Sequence, residues 1–115
     1  MFSPIVSDFY SGMEVTVPLF AKNLNDGFTV EDVKELYKKI YNGNIVKYEE
    51  SVDDSGFISA GVHAGKDTMT VTVCGNNDRF VLVALYDNLG KGASGAAVEC
   101  MNMVMGVKPE TGLVI

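Results

Sequence analysis

The chain has little of several residue types whose abundance marks a particular class of protein. Its 115 residues include no tryptophan, one histidine, two cysteines and three prolines. Cys74 and Cys100 lie far apart in sequence and belong to no CxxC or CxxH motif, so we expect structural thiols rather than a paired metal site. Sparse proline and a charged content of 21% argue against a disordered chain, because enough apolar material is present to offset the ordering entropy.

Basic residues are also scarce, with 9 Lys and Arg against 15 Asp and Glu and a net charge of −6. Because nucleic-acid affinity depends on clustered Lys and Arg, we expect no nucleic-acid partner. The longest apolar run, Phe80 to Tyr86, is far below the ~18 residues of a membrane-spanning helix, and the amino terminus lacks a signal-peptide series. We expect a soluble, cytoplasmic protein without a membrane partner, with one domain over residues 1–115.

The pattern of hydrophobic residues predicts five strands. Apolar and polar residues alternate from Met13 to Val17, and Pro18 is expected to end this strand. After the first helix the period changes from about 3.6 to 2, and four later segments are candidate strands, which are Ile45–Tyr48, Phe57–His63, Thr68–Val73 and Arg79–Tyr86. Short polar turns between these segments would allow three hairpins. The run from Phe80 to Tyr86 does not alternate, which predicts a central strand that is buried on both faces.

Two helices are predicted, so the fold class is α+β with a mostly antiparallel sheet. Thr29, with Asp32 three residues later, indicates a capped helix start. The apolar residues that follow recur at intervals of three and four and form a stripe that a sheet must cover; they are Val30, Val33, Leu36, Tyr37, Ile40 and Tyr41. The second helix is expected from about Ala93 to Met105, with Gly106 as its stop.

The opening of the second helix carries a glycine motif. Gly90 to Gly95 spell GxGxxG after a predicted strand. A dinucleotide fingerprint needs a further parallel strand and an acidic residue about 20 residues later, and the chain reaches Ile115 without them, so an independent fingerprint is disfavoured. Two interpretations remain. Backbone N–H groups at the helix start would suit an anionic or amide-bearing ligand, or the small residues permit close packing of helix and sheet.

The other polar candidates indicate structural roles. His63 lies near the end of a predicted strand without a neighbouring nucleophile motif, which favours a surface or strand-end residue over a catalytic base. Asp53 and Asp54 lie among Ser, Val and Gly, which is typical of a solvated turn. Three methionines spaced two apart on the last helix do not share one face and suit a packing interface. We therefore expect no metal site, and no nucleophile and base pair is visible.

One segment is distinctive as a whole. Tyr86 to Val98 reads YDNLGKGASGAAV, and it is followed by Met101, Asn102, Gly106 and the ending ETGL at residues 110–113. This series closely resembles the carboxyl end of N-acetyl-gamma-glutamyl-phosphate reductases. Further segments resemble the same family in the same order, and these are Phe2 to Pro4, Gly12 with Val17 to Leu19, Val30 to Tyr41 and Ile58 to His63. The resemblance covers Phe2 to Leu113.

The resemblance implies a fold and an activity. The fold is the carboxyl-terminal domain of glyceraldehyde-3-phosphate-dehydrogenase-like proteins, a mostly antiparallel mixed sheet with helices on one face. The activity is the NADPH-dependent reduction of an acyl phosphate to an aldehyde through a cysteine thioester, the third step of arginine biosynthesis. The family's dinucleotide-binding domain, nucleophilic cysteine and catalytic histidine all lie upstream of the matched segment, so the expected partner is the missing dinucleotide-binding domain.

The resemblance assigns few site residues to this chain. Asn88 resembles the asparagine that faces the nicotinamide carboxamide of NADP, and Gly90 and Gly92 resemble the adjoining turn against the cofactor. Neither cysteine nor His63 matches a catalytic position, so no catalytic residue is assigned. Ser11 departs from the Arg-Gly pair of many members, which bears on any substrate-phosphate contact from that position.

Three functional hypotheses follow. The leading one is a carboxyl-terminal fragment of the reductase that is inactive alone and forms a homo-oligomer. In that case the apolar side of the last helix should be exposed or buried in an oligomer. The alternative is a non-catalytic self-association module that retains this fold. A third, weaker hypothesis is a small-molecule sensor that binds at the helix start near Gly92.

Overall fold

A computed structural model describes residues 2–25 and 27–115. The strands are β1 (Met13–Phe20), β2 (Val46–Tyr48), β3 (Met69–Gly75) and β4 (Arg79–Tyr86). The helices are α1 (Val30–Ile40) and α2 (Gly95–Met105), with a short 3₁₀ turn at Ala21–Asn23 and a π-helical turn at Gly90–Ser94. The predicted α+β class is confirmed.

The strands form one mixed sheet in the order β1, β4, β3, β2. β4 pairs antiparallel with β1 and with β3, whereas β2 pairs parallel with β3. The prediction of a central strand at Phe80 to Tyr86 is confirmed, because β4 has a neighbour on each side. Phe80, Val83 and Leu85 are buried, and these three residues belong to opposite faces of the strand.

The first strand is longer than the sequence predicts. Pro18 does not end it, because β1 continues to Phe20 and Pro18 pairs in register with Val81. β1 is the edge of the sheet, where a proline without an N–H is tolerated if its nitrogen faces away from the neighbouring strand. The predicted boundary is therefore wrong by three residues, because an edge strand can continue through a proline.

The predicted strand at Phe57 to His63 is wrong. Asp54 and Phe57 exchange backbone hydrogen bonds of 2.9 and 3.0 Å around a tight turn, and Gly61 accepts the N–H of Ala64 in another turn. Glycine in the middle of the segment weakens its strand propensity, which leaves turn formation as the competing local structure. Of the three expected hairpins, only the β3–β4 connection at residues 76–78 forms, and β2 and β3 are parallel.

α1 begins as its sequence predicts, and it packs on the sheet with part of its apolar stripe. Thr29 Oγ1 accepts the N–H of Asp32 at 3.3 Å, and Asp32 Oδ2 accepts the N–H of Thr29 at 2.8 Å. Val30 joins Val73 and Phe80 in the buried core. The apolar stripe is only partly covered, because Leu36 and Ile40 stay half-exposed. Beside Tyr37, an apolar depression of about 140 Å³ remains open over β1 and β4.

α2 does not pack on the sheet as α1 does. It makes its main contacts with the π-helical turn that precedes it, so the expectation of two helices on one face holds for α1 alone. Gly106 has the left-handed φ of 70° that ends α2, as predicted. Met101 and Val104 are exposed by 53% and 89%, so α2 presents an apolar side in the single chain.

Two buried threonines of β3 provide a matched pair for a stability test. Both belong to the face opposite α1, because they alternate with Val71 and Val73. Thr70 Oγ1 lies 2.9 Å from His63 Nε2. Thr72 Oγ1 is buried and has no hydrogen-bond partner within residues 2–25 and 27–115. A buried hydroxyl without a partner keeps its desolvation cost.

Thr72→Val is therefore expected to raise the free energy of unfolding by about 1 kcal/mol. Thr70→Val is expected to lower it by a similar amount, because it removes the partner of His63. Urea unfolding of the two variants beside the parent measures both changes. If both substitutions changed the free energy of unfolding equally and in the same direction, the difference in hydrogen bonding between the Thr70 and Thr72 hydroxyls would be contradicted.

Candidate functional site

Asp87 forms the centre of a junction at the carboxyl end of β4. Its side chain is only 2% exposed. The carboxylate accepts the N–H groups of Leu89 at 2.7 Å and Gly90 at 3.1 Å through Oδ1, and that of Gly65 through Oδ2. Gly92 donates its N–H to the backbone carbonyl of Asp87 at 2.8 Å. One residue thus joins the loop before β3 to the turn that opens α2.

These hydrogen bonds favour the charged form of the side chain. The N–H of Gly65 has the largest effect and, with those of Leu89 and Gly90, lowers the pKa of Asp87 from 3.8 to about 2, although burial acts in the opposite direction. Asp87 is therefore ionised at neutral pH, and its negative charge lies against the start of the π-helical turn. This is where a helix dipole stabilises an anion.

Sequence reasoning did not single out Asp87. An aspartate shortly before a helix start is a typical capping signal, and Asp87 lies three residues before the π-helical turn. The carboxylate of Asp87 also lies where the sequence predicts a site for an anionic ligand, at the start of the helix. The N–H groups of Leu89 and Gly90 are already satisfied by Asp87, and that of Ser94 donates to the carbonyl of Leu89 at 3.2 Å. The protein's own anion therefore occupies this part of the helix start.

Asn88 lies beside Asp87, is half-buried and is held by a distant backbone group. Its Oδ1 accepts the N–H of Gly12 at 3.0 Å. Gly12 has a φ of +119°, and a Cβ there would lie 2.5 Å from the carbonyl oxygen of Ala60, so only glycine fits. In the part of the chain that the structure describes, no acceptor is found for Asn88 Nδ2. The side chain thus has a fixed oxygen and an amide nitrogen that can donate.

The predicted glycines Gly90 and Gly92 belong to the same turn as Asn88. A Cβ at Gly90 would lie 2.4 Å from the carbonyl oxygen of Lys66, and a Cβ at Gly92 would lie 3.0 Å from the Tyr86 ring. Close packing therefore explains both residues, and for Gly90 the neighbour is a loop rather than the sheet. Gly92 is also exposed, so its other side remains open to solvent.

An ion pair spans the turn and α2. Lys91 Nζ contacts Glu99 Oε2, and the two side chains are only 12% and 20% exposed. The Coulomb attraction within a pair so removed from water is stronger than on the open surface, and loss of one partner would leave the other charge desolvated and unpaired. It therefore ties the π-helical turn, in which Lys91 lies three residues after Asn88, to the first turns of α2.

The remaining candidates lie outside this junction. His63 is half-buried, with its two ring nitrogens each 2.9 Å from the hydroxyls of Thr68 and Thr70. Burial, and then the charge of Lys66, lower the pKa of His63, so it is neutral at pH 7. Cys74 and Cys100 are free and exposed, on β3 and α2 respectively.

The expected solvated turn is confirmed, because Asp53 and Asp54 are both exposed. Asp53 accepts the hydroxyl of Ser51 and the N–H of Gly56. Residues 2–25 and 27–115 contain no cluster of three His, Cys, Asp or Glu side chains with metal-binding geometry. In the same residues, no helix is long and apolar enough to cross a membrane.

Several known proteins with similar sequences carry the same name. N-acetyl-gamma-glutamyl-phosphate reductase of Allorhizobium ampelinum is 42% identical over 110 residues, which are 91% of this chain and 36% of that protein. The reductase of Sinorhizobium medicae is 42% identical over 111 residues, with the same coverage. That of Brucella suis is 43% identical over 112 residues, 92% of this chain and 36% of its own length. No protein-family model matches the chain.

The chain thus spans about a third of the length of the curated relatives that it matches. The matched part is the carboxyl-terminal part of those proteins. It includes the Asp87 junction, Asn88 and the glycine turn, since nine tenths of this chain are aligned. The resemblance inferred from the sequence motifs is confirmed: over nine tenths of its length this chain is similar to the carboxyl-terminal third of N-acetyl-gamma-glutamyl-phosphate reductases.

Proposed function

We propose that these 115 residues form the carboxyl-terminal part of an N-acetyl-gamma-glutamyl-phosphate reductase. Such an enzyme reduces an acyl phosphate to a semialdehyde in cytoplasmic arginine biosynthesis. The observation that carries the proposal is an identity of 42 to 43% with these reductases over 91 to 92% of the chain. The mixed sheet of the α+β fold is consistent with the glyceraldehyde-3-phosphate-dehydrogenase-like class to which we assign it.

The geometry around Asn88 fits a role in binding NADP. Gly12 holds the side-chain oxygen of Asn88, which leaves its Nδ2 to donate to the carboxamide oxygen of a nicotinamide. Exposed Gly92 allows a ligand to approach the same turn without a side chain in the way. When bound, NADPH supplies the hydride for the reduction. The residues of this chain bind and orient the nicotinamide and do not react with it.

The nucleophile and the dinucleotide-binding fold are proposed to come from other residues of the reductase. Cys74 and Cys100 are exposed on separate elements, and neither resembles the nucleophile of the family. The 115 residues by themselves are therefore expected to be inactive, with a dinucleotide-binding domain as the partner of this domain. The exposed apolar side of α2 and the half-exposed valines of β1 favour a homo-oligomer.

The test is the mass and activity of the polypeptide as the cell makes it. An antibody raised against this chain should precipitate, from source-cell lysate, a polypeptide larger by a dinucleotide-binding domain, roughly 100 to 200 residues. The precipitate should oxidise NADPH in the presence of the acyl phosphate, whereas the purified 115 residues should not.

A polypeptide of 12.4 kDa without this activity would overturn the proposal. The self-association module would then be the preferred function. A larger polypeptide without this activity would support an additional domain but would contradict the assignment as a reductase.

A further inference from the structure

The residues after α2 fold back onto the protein. Asn102 is buried and its Nδ2 donates to the carbonyl oxygens of Pro109 at 2.9 Å and Thr111 at 2.8 Å. Its own carbonyl accepts the N–H of Val107 at 3.0 Å. One buried amide therefore fixes the direction of the segment 107–115, which we call the tail.

The tail ends in a reciprocal pair of hydrogen bonds with Asp67. The N–H of Asp67 donates to the carbonyl of Val114 at 2.8 Å, and the N–H of Val114 donates to Asp67 Oδ2 at 2.9 Å. These two bonds bring together residues that are 47 positions apart in sequence. The second bond is charge-assisted, which makes it stronger than a bond between neutral groups.

Asp67 is at the same time pressed against the turn that contains Asn88. A Cβ at Gly95 would lie 2.2 Å from Asp67 Oδ1, and a Cβ at Gly90 would lie 2.9 Å from the same atom. The carboxyl group thus has one oxygen on Val114 and the other against the two glycines. A rotation of this side chain would change both contacts together.

We propose that the tail acts through Asp67 to position the turn of residues 87–92, and with it the amide of Asn88, for the nicotinamide. Val114 and Asp67 are thus positioning residues, since neither is argued to touch the ligand. This inference rests on the proposed function, because the turn needs a ligand in order to be positioned for one.

The local character of these contacts distinguishes the proposal from a general contribution to stability. The Asn102 and Val114 hydrogen bonds join the tail to α2 and to the loop before β3. The core of Val30, Val73 and Phe80 is formed by α1 and the sheet. Loss of the Val114 bond is therefore expected to loosen the turn while β4 remains folded.

The test uses Val114→Pro, which removes the N–H that Asp67 accepts. Ile115→Pro is the matched control, because it places the same ring one residue later on an exposed position. Both variants are made in the polypeptide as the cell produces it, and peptides covering residues 79–86 and 87–95 are followed by hydrogen exchange. Michaelis constants for NADPH are measured on the same samples.

Val114→Pro is expected to raise exchange of residues 87–95 and the KM for NADPH about fivefold each, the effect of one net hydrogen bond. Exchange of residues 79–86 and kcat should not change, and Ile115→Pro should behave as the parent. Asp67→Ala should reproduce both increases without a proline. Asp67→Asn should behave largely as the parent, since its amide oxygen can still accept the N–H of Val114.

Three results would overturn the inference. Unchanged exchange of residues 87–95 would show that the tail does not hold the turn. An equal rise in both peptides would show only a global loss of stability. Faster exchange of the turn with an unchanged KM would show that the turn does not position NADPH. If the unsubstituted polypeptide had no NADPH-dependent activity, the proposed function would be rejected instead. The hydrogen-exchange result would still show whether the tail holds the turn, because exchange is measured without that activity.

Discussion

Asp87→Ala is expected to lower the free energy of unfolding by about 3 kcal/mol at pH 7, because buried N–H groups lose a charged acceptor. Three backbone donors depend on this carboxylate, from Gly65, Leu89 and Gly90. With the side chain 2% exposed, water has little access to replace it. Urea unfolding, followed by circular dichroism, measures the change.

The effect of Asp87 should depend on pH in a defined direction. The folded-state pKa of about 2 lies below the ordinary value of 3.8, so the unfolded chain takes up the proton first as pH falls. The stabilisation is therefore complete above about pH 5 and is lost progressively as pH falls through 3.8 towards 2. The difference in stability between the parent and Asp87→Asn should shrink over that interval.

Asp54→Ala is the control for both measurements. Asp54 is exposed, and its carboxylate accepts only the neighbouring hydroxyl of Ser55 among the residues that the structure describes. Its replacement should change stability by less than about 0.5 kcal/mol. A similar loss for Asp54→Ala and Asp87→Ala, or a parent-to-variant difference that is independent of pH, would contradict the junction described around Asp87.

Gly90→Ala is expected to cost about 2 kcal/mol, because its methyl group would meet rigid backbone. The new Cβ would lie 2.4 Å from the carbonyl oxygen of Lys66, a distance that requires the loop or the turn to move. The loop is held by the hydrogen bond of Gly65 to Asp87 and by that of Asp67 to Val114, so movement would weaken further contacts. Thermal and urea unfolding both report this change.

Gly43→Ala is the control for Gly90→Ala, because it makes the same replacement of glycine by alanine at a position without a steric clash. A Cβ at Gly43 would meet only the carbonyl oxygen of Val46, at an ordinary distance of 3.7 Å. The substitution should be close to neutral, because alanine restricts the unfolded chain and no clash opposes it. If Gly90→Ala were as well tolerated as Gly43→Ala, the glycine would have no packing role, and an open approach for a ligand would be its remaining explanation.

The elements that the sequence predicts correctly are those with local signals. Thr29 and Asp32 lie three residues apart and satisfy each other, so the start of α1 can be inferred from that short segment. β4 is predicted because a continuous apolar run needs burial on both faces. At Phe57 to His63 the strand predicted from a period of two is opposed by Gly61, and turn formation prevails.

The residues of the candidate site can be proposed from the sequence, but their geometry cannot. Motif resemblance singles out Asn88, Gly90 and Gly92 because they lie within five consecutive residues. Their structural neighbours are far away in the chain: Asn88 is held by Gly12, 76 positions earlier, and Asp87 by Gly65, 22 positions earlier. Sequence alone does not reveal which distant loops meet a turn, so the contact of Asp87 with Gly65 emerges only from the fold, whereas its contacts with Leu89 and Gly90 are local.

Pro18 has a consequence for the solubility of the sheet. An edge strand offers a row of unpaired backbone groups on which another chain can add a strand and begin aggregation. Proline interrupts that row within β1, since it has no N–H to offer an incoming strand. The opposite edge, β2, is only three residues long. Both edges of this sheet are thus poor templates for amyloid-like growth, even though apolar side chains remain exposed on its face.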